Sequence, residues 1–325
     1  MGKYNKFCFT AFVSGIGYQR YIPLFLYSIA KAYPEHDSII YCQEALDPHV
    51  SVQLDLIKPI YNFEIVEHYL SDVQVKGQRL KALRWIMIDE RLEAYEYVYN
   101  VDIDIFYIKE SPSLLDQHIS HSELIGIPVS NVYRPEFVID NYNIISFLKR
   151  IYHNGIVDGL KSLTHTKTKS IKASGLHFFK TKEYFEAIRP FIAKYREIIE
   201  NPKSSFIHHK EGFHNESVLA DLMNDTGMGA NMPYITDEDL ALDYREYRQT
   251  SFRPHHGVHL GIFMSDAGVT GSKSTLDHEV YKYYYREYIG LIENDPIWSK
   301  LYTMLSPEVQ LLLDRMVNYY NTHKV

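Results

Sequence analysis

The sequence predicts an α/β chain built on a mostly parallel sheet with helices on its flanks, and three observations carry that expectation. Strand-like and helix-like segments alternate between residues 6 and 67. A glycine-containing loop follows the first apolar segment. A later apolar run, Tyr95-Glu-Tyr-Val-Tyr-Asn-Val-Asp-Ile-Asp-Ile-Phe-Tyr-Ile108, carries Asp102 and Asp104 one residue apart.

Taken in order, Lys6-Phe-Cys-Phe-Thr-Ala-Phe-Val13 is a buried first strand. The loop Ser14-Gly15-Ile16-Gly17 leads to an amphipathic helix from Tyr21 to Tyr33, which Pro34 stops. Ser38 to Cys42 is a second strand, Asp47 to Lys58 a second helix and Phe63 to Glu67 a third strand. Gln78 to Leu92 is predicted as one helix, apolar at Leu80, Leu83 and Ile86 or Met87 and basic at Arg79, Lys81 and Arg84. It leads into the strand with the aspartate pair. Further strands are expected at Glu123 to Val129, Ala173 to Phe179 and Gly257 to Phe263. Helices are expected at Lys182 to Ile199 and Asn215 to Asn224, and a Tyr-rich helical stretch from Ser272 onward. The stretch 132–168 shows no legible pattern.

Composition bounds the function. With 325 residues, 46% hydrophobic and 23% charged, the chain has ample material for a core, and its composition is that of a soluble globular protein. No apolar run reaches the roughly 18–20 residues of a membrane span, so neither a transmembrane helix nor a signal peptide is expected. A net charge of −7 argues against a general nucleic-acid binder. The two cysteines, Cys8 and Cys42, fall in predicted strands, which suits small buried hydrophobes in a reducing compartment. The 28 tyrosines could stack on sugars or bases, or fill the core.

Residues two apart in a strand point to one side, so Asp102 and Asp104 can converge on one hard cation. Two uncompensated carboxylates at the end of a buried strand would cost several kcal/mol, so a metal, an arginine or water must offset them. In open α/β sheets ligands bind beyond the carboxyl ends of strands, where the Ser14–Gly17 loop and the aspartates both fall.

Four places together resemble the glycosyltransferases of the GT-A fold, Rossmann-like enzymes that use a D-x-D motif. The nearest group is the glycogenin-like and lipopolysaccharide galactosyltransferase-like one. The places are Tyr21-Ile-Pro-Leu-Phe-Leu-Tyr-Ser28 after the first strand, the basic helix at Arg79, Val101-Asp-Ile-Asp-Ile105, and Ser174-Gly-Leu-His-Phe-Phe179 followed by His214-Asn-Glu-Ser-Val-Leu219. The resemblance implies a catalytic domain over residues 1–270, with a variable insertion at 132–170 and a C-terminal helical extension at 271–325.

It also implies roles. Asp104 would bind Mn2+ or Mg2+, and Asp102 the metal or the donor's ribose. In the family a late histidine supplies another ligand, commonly before Lys-Pro-Trp; here His256 and His259 are the candidates, with His259 favoured, and no Lys-Pro-Trp follows. Lys273 could reach a phosphate. Zinc on His255, His256 and His259 is the weaker reading, since cysteines and a second ligand pair are lacking. Thr10, Ala11 and Phe12 would cradle the nucleotide, with Tyr18 or Tyr21 stacking on the base, and Arg79 would contact the donor. Glu216 and Asn215 are the catalytic candidates: Asn215 also reads as a helix N-cap, and Glu216 as a general base, a sugar ligand or a helix-start charge.

The implied activity is metal-dependent transfer of a hexose from a nucleotide-sugar donor, UDP-linked, to a saccharide or lipid-linked acceptor in surface polysaccharide synthesis. The implied setting is cytoplasmic, with peripheral association at the inner face of a membrane. The alternative is a non-catalytic saccharide-binding or scaffold protein on the same fold.

Overall fold

A computed structural model describes residues 6–135, 171–201, 213–234, 257–271, 276–277 and 279–323. His256, Lys273 and residues 136–170 of the predicted insertion lie outside the described residues. The strands are β1 Phe7–Val13, β2 Asp37–Cys42, β3 Phe63–Val66, β4 Tyr97–Asn100, β5 Ile105–Phe106, β6 Val129–Ser130, β7 Tyr133–Pro135, β8 Ile171–Ala173, β9 His177–Lys180 and β10 Val258–His259.

The central sheet has the order β3-β2-β1-β4-β9-β6. The first four strands are mutually parallel, β9 runs antiparallel to β4, and β6 antiparallel to β9. Two short antiparallel pairs, β5 with β10 and β7 with β8, lie outside it. The chain winds outward from β1 to β3 and returns to place β4 on β1's other side. The ends of β1 and β4 therefore border the crevice where strand order reverses.

β1 is buried on both faces because it is central. Phe7, Phe9, Ala11 and Val13 face one apolar cluster with the helix Ile22–Ala32 and the helices Glu279–Ile292, Pro296–Met304 and Pro307–Thr322. Cys8 faces a second cluster with Trp85, Leu92, Tyr184 and Leu219. Both cysteines are buried free thiols, and burial pushes Cys8 well above the ordinary thiol range.

Several predicted elements differ. The single helix predicted for Gln78–Leu92 is a helix over Gln78–Ala82, a 3-10 turn over Leu83–Ile86 and a new helix at Glu90–Glu93. Asp89 starts that last helix by accepting from the Arg91 N–H at 2.9 Å. The strand predicted at Glu123–Val129 begins as the last turn of a helix, Leu114–Ile125, capped at its N-terminus by Ser113 and ended by Gly126 at φ 69°. Only Val129 and Ser130 pair as strand. Pro190 divides the predicted helix Lys182–Ile199 in two. The predicted strand Ala173–Phe179 is two strands, and that at Gly257–Phe263 keeps only β10 before turning 3-10 at Leu260.

Candidate metal centre

The long strand predicted through the aspartates stops at Asn100. The Val101 N–H still donates to Thr10 O at 2.9 Å, so the chain leaves the sheet beside β1 and carries Asp102 to Asp104 across the crevice. It rejoins regular structure at β5, where Ile105 pairs with His259 and Phe106 with Val258. This pairing brings two segments distant in sequence into one site.

Asp102, Asp104 and His259 each offer a ligand atom, and these lie within 4.8 Å of one another. His259 Nε2 is 3.1 Å from Asp104 Oδ2. Two ligands at right angles on one ion, with bonds of about 2.1 Å, lie about 3.0 Å apart, so this spacing fits a shared small divalent cation. Two carboxylates and an imidazole suit Mn2+ or Mg2+ better than a soft metal. Gly261 makes room: a Cβ there would stand 2.9 Å from Asp104 Oδ2 and 3.2 Å from His259 Nε2. Asp104 is 9% exposed, while Asp102 and His259 are half-buried. Beneath them Tyr21 is pushed up to about 12 by burial first and by the Asp104 charge second.

Arg84 completes the centre, and it is the residue the sequence reading passed over in favour of Arg79. Its guanidinium is ion-paired through Nη1 with Asp102 Oδ1 and stacks on the Trp85 ring, 4.0 Å from the centroid. Arg84 Nη2 lies 3.5 Å from Asn215 Oδ1. A Cβ on Gly175 would meet Glu216 Oε1 at 3.0 Å, Arg84 Nη2 at 3.1 Å and Asp102 Oδ2 at 3.7 Å, so these three groups line one small space.

Arg79 is elsewhere. Its Nη1 donates to Ile198 O at 2.8 Å and Ile199 O at 3.1 Å, and its guanidinium lies 4.3 Å from the Phe213 ring centroid. It caps the helix Ile192–Glu200 rather than facing the aspartates. The 3-10 turn after Ala82 gives Arg84 its direction, which a regular helical reading could not show.

Asn215 is the first residue of its helix, and the N-cap is His214, whose side chain accepts from the Glu216 N–H at 3.2 Å. Asn215 is buried: its Nδ2 donates to Gln78 Oε1 at 2.5 Å and its carbonyl accepts from Trp85 Nε1 at 2.9 Å. It ties this helix to the Arg84 segment, and Glu216, half-buried in the first turn, faces the centre.

The predicted nucleotide cradle divides. Thr10 and Ala11 are fully buried, Thr10 donating to Ile39 O at 2.9 Å, so neither side chain has surface at the crevice. Phe12 is half-buried against the second cluster. Tyr18 is 39% exposed, with Lys81 Nζ 5.5 Å from its ring centroid.

No family model matches the chain, and no curated protein matches it. Solved structures do. WbbM, a bifunctional glycosyltransferase, is 10% identical with a TM-score of 0.42 over 94% of this chain and 52% of its own. The glycosyltransferase GlyE of Streptococcus pneumoniae is 10% identical with a TM-score of 0.42, over 97% of this chain and 64% of its own. Core-mannan synthase A of Aspergillus fumigatus, in its Mn/GDP form, is 10% identical with a TM-score of 0.36 over 68% and 70%. The chain thus spans about half to two thirds of the first two structures. No described helix is long and apolar enough to cross a membrane.

Proposed function

We propose that this chain is a metal-dependent glycosyltransferase that moves a hexose from a nucleoside-diphosphate sugar, UDP-linked, to a saccharide or lipid-linked acceptor. The observation that carries the reading is the convergence of Asp102, Asp104 and His259 at the crevice where strand order reverses, with Arg84 beside them.

Asp104, His259 and Asp102 would hold Mn2+ or Mg2+ together with the donor diphosphate. The ion, when bound, neutralises negative charge on the departing nucleoside diphosphate. Arg84 is ion-paired with one oxygen of Asp102; the other oxygen would be available to the ion, and the Arg84 charge would offset negative charge on a bound diphosphate. Glu216 and Arg84 Nη2 line the space above Gly175, where they would bind sugar hydroxyls. Tyr18, exposed beyond the end of β1, would stack on the base. A cytoplasmic setting beside a membrane, where lipid-linked acceptors lie, belongs to the same proposal.

Screening UDP, GDP and CMP sugars for Mn2+-dependent hydrolysis tests the reading. One donor should release its nucleotide only with metal present, and Asp104→Ala should lower that rate by roughly 10²-fold or more. Saccharide binding without nucleotide binding would instead establish the scaffold alternative.

A further inference from the structure

Beside Arg84 lies a small cavity of about 10 Å³ whose lining includes Thr10, Arg84, Trp85, Asn100 and His177. The sheet register builds it. Thr10 on β1 pairs with Asn100 on β4, and Asn100 with His177 on β9, so the three side chains stand in a row on one face under the Arg84–Trp85 turn.

Three residues of this lining each carry a buried polar atom with no hydrogen-bond partner among the described residues: Arg84 Nε, Asn100 Oδ1 and His177 Nε2. Their hydrogen-bonding characters are fixed by their neighbours. Asn131 Oδ1 accepts from Val132 N at 2.6 Å and Ser174 N at 3.0 Å, which turns its Nδ2 toward His177 Nδ1 at 2.8 Å. Nδ1 is therefore an acceptor, and Nε2 of the neutral ring carries the hydrogen. Burial first, and the Arg84 charge second, push His177 down to about 3, which keeps the ring neutral. Asn100 Nδ2 donates to Arg84 O at 3.0 Å, leaving Oδ1 as the free acceptor.

Two donors and one acceptor around this volume suit one molecule. An anion would meet the Asn100 oxygen and a cation would meet two N–H groups, whereas water can accept twice and donate once. About 10–15 Å³ is what one water needs. The Thr10 hydroxyl, on the same lining, has lone pairs for the second hydrogen. Each such group left unpaired would keep its full desolvation penalty.

We propose that this cavity binds one structural water, which accepts from His177 Nε2–H and Arg84 Nε–H and donates to Asn100 Oδ1. His177 is thereby a positioning residue that holds the Arg84 guanidinium on Asp102. Only the consequence for Asp102 rests on the proposed function; the water and the order of the guanidinium are read without metal, nucleotide or turnover.

A high-resolution crystal structure of the full chain should place a water within about 3.2 Å of all three atoms. By NMR, the Arg84 Nε–H should exchange with solvent at least about tenfold faster in His177→Phe than in the wild-type chain. His177→Gln, which returns an N–H near the Nε2 position, should restore slow exchange. A cavity without water density, or exchange unchanged in His177→Phe, overturns the proposal. Should His177→Phe fail to fold, the wild-type structure and the His177→Gln exchange rate decide it. An inactive but well-ordered Arg84–water pair would instead count against the glycosyltransferase reading alone.

Discussion

Arg84 and Arg79 show how little spacing says about direction at the scale of one residue. Both are basic residues of one predicted helix, yet Arg84 is ion-paired with Asp102 and Arg79 donates to helix-end carbonyls. Arg84→Ala should lower kcat/KM for donor hydrolysis by about 10²-fold, the usual loss when a preorganised charge is removed. Arg79→Ala should leave kcat/KM near wild type and cost about 1–2 kcal/mol in urea unfolding. His177 adds a pH dependence. Its folded value is depressed, so the unfolded chain takes up a proton below about pH 6.5 that the folded chain refuses until about pH 3. The stabilising difference is full above pH 6.5 and is lost as pH falls from there toward 3. Urea titrations at pH 7 and pH 5 should show His177→Gln losing about 2 kcal/mol less stability than wild type over that interval.

Among elements, the pairing of β5 with β10 decides the centre. Gly257 sits at φ 117°, and a Cβ there would lie 2.3 Å from Phe106 O, so only glycine lets the late strand approach closely enough to set His259 opposite Ile105. Gly257→Ala should cost about 2 kcal/mol or more in stability and weaken Mn2+ binding measured by calorimetry. The parallel strands β1 to β3 were legible because each is a short apolar run bounded by turn residues. The helix Leu114–Ile125 was missed although its signals, Ser113 and Gly126, stand in the sequence, because Leu124-Ile-Gly-Ile127 reads equally well as a buried strand. The break after Ala82 had no comparable local signal: Leu83, Trp85, Ile86 and Met87 are all buried, and burial on every side erases periodicity.

Across the whole molecule, the C-terminal helices share one apolar cluster with β1 and with β5. Trp298 joins them, its ring centroid 5.3 Å from Tyr27, 5.7 Å from Tyr288 and 6.2 Å from Phe106 of β5. Trp298→Ala should cost about 3–5 kcal/mol in thermal or urea unfolding, and the resulting cavity adjoins Phe106 of β5, the strand that follows Asp104. The tyrosine count also resolves at this scale. Tyr284 OH bonds Glu110 Oε1 at 2.5 Å, Tyr319 OH bonds Asp277 Oδ1 at 2.6 Å and Tyr27 OH bonds Asp295 Oδ2 at 2.9 Å. These tyrosines bury an apolar ring and satisfy a polar partner across the packed helices, so the named ones are structural.

The sequence by itself determined the α/β class, the parallel direction of the first strands and the two aspartates just beyond β4, because strand periodicity and turn residues act over a few neighbours. Tertiary structure alone chose Arg84 over Arg79, brought His259 to Asp104 and aligned Thr10, Asn100 and His177 into one row. Each of those depends on register between strands or on the direction a chain takes after a broken helix. Packing of distant segments sets both, and no local pattern of residue types encodes them.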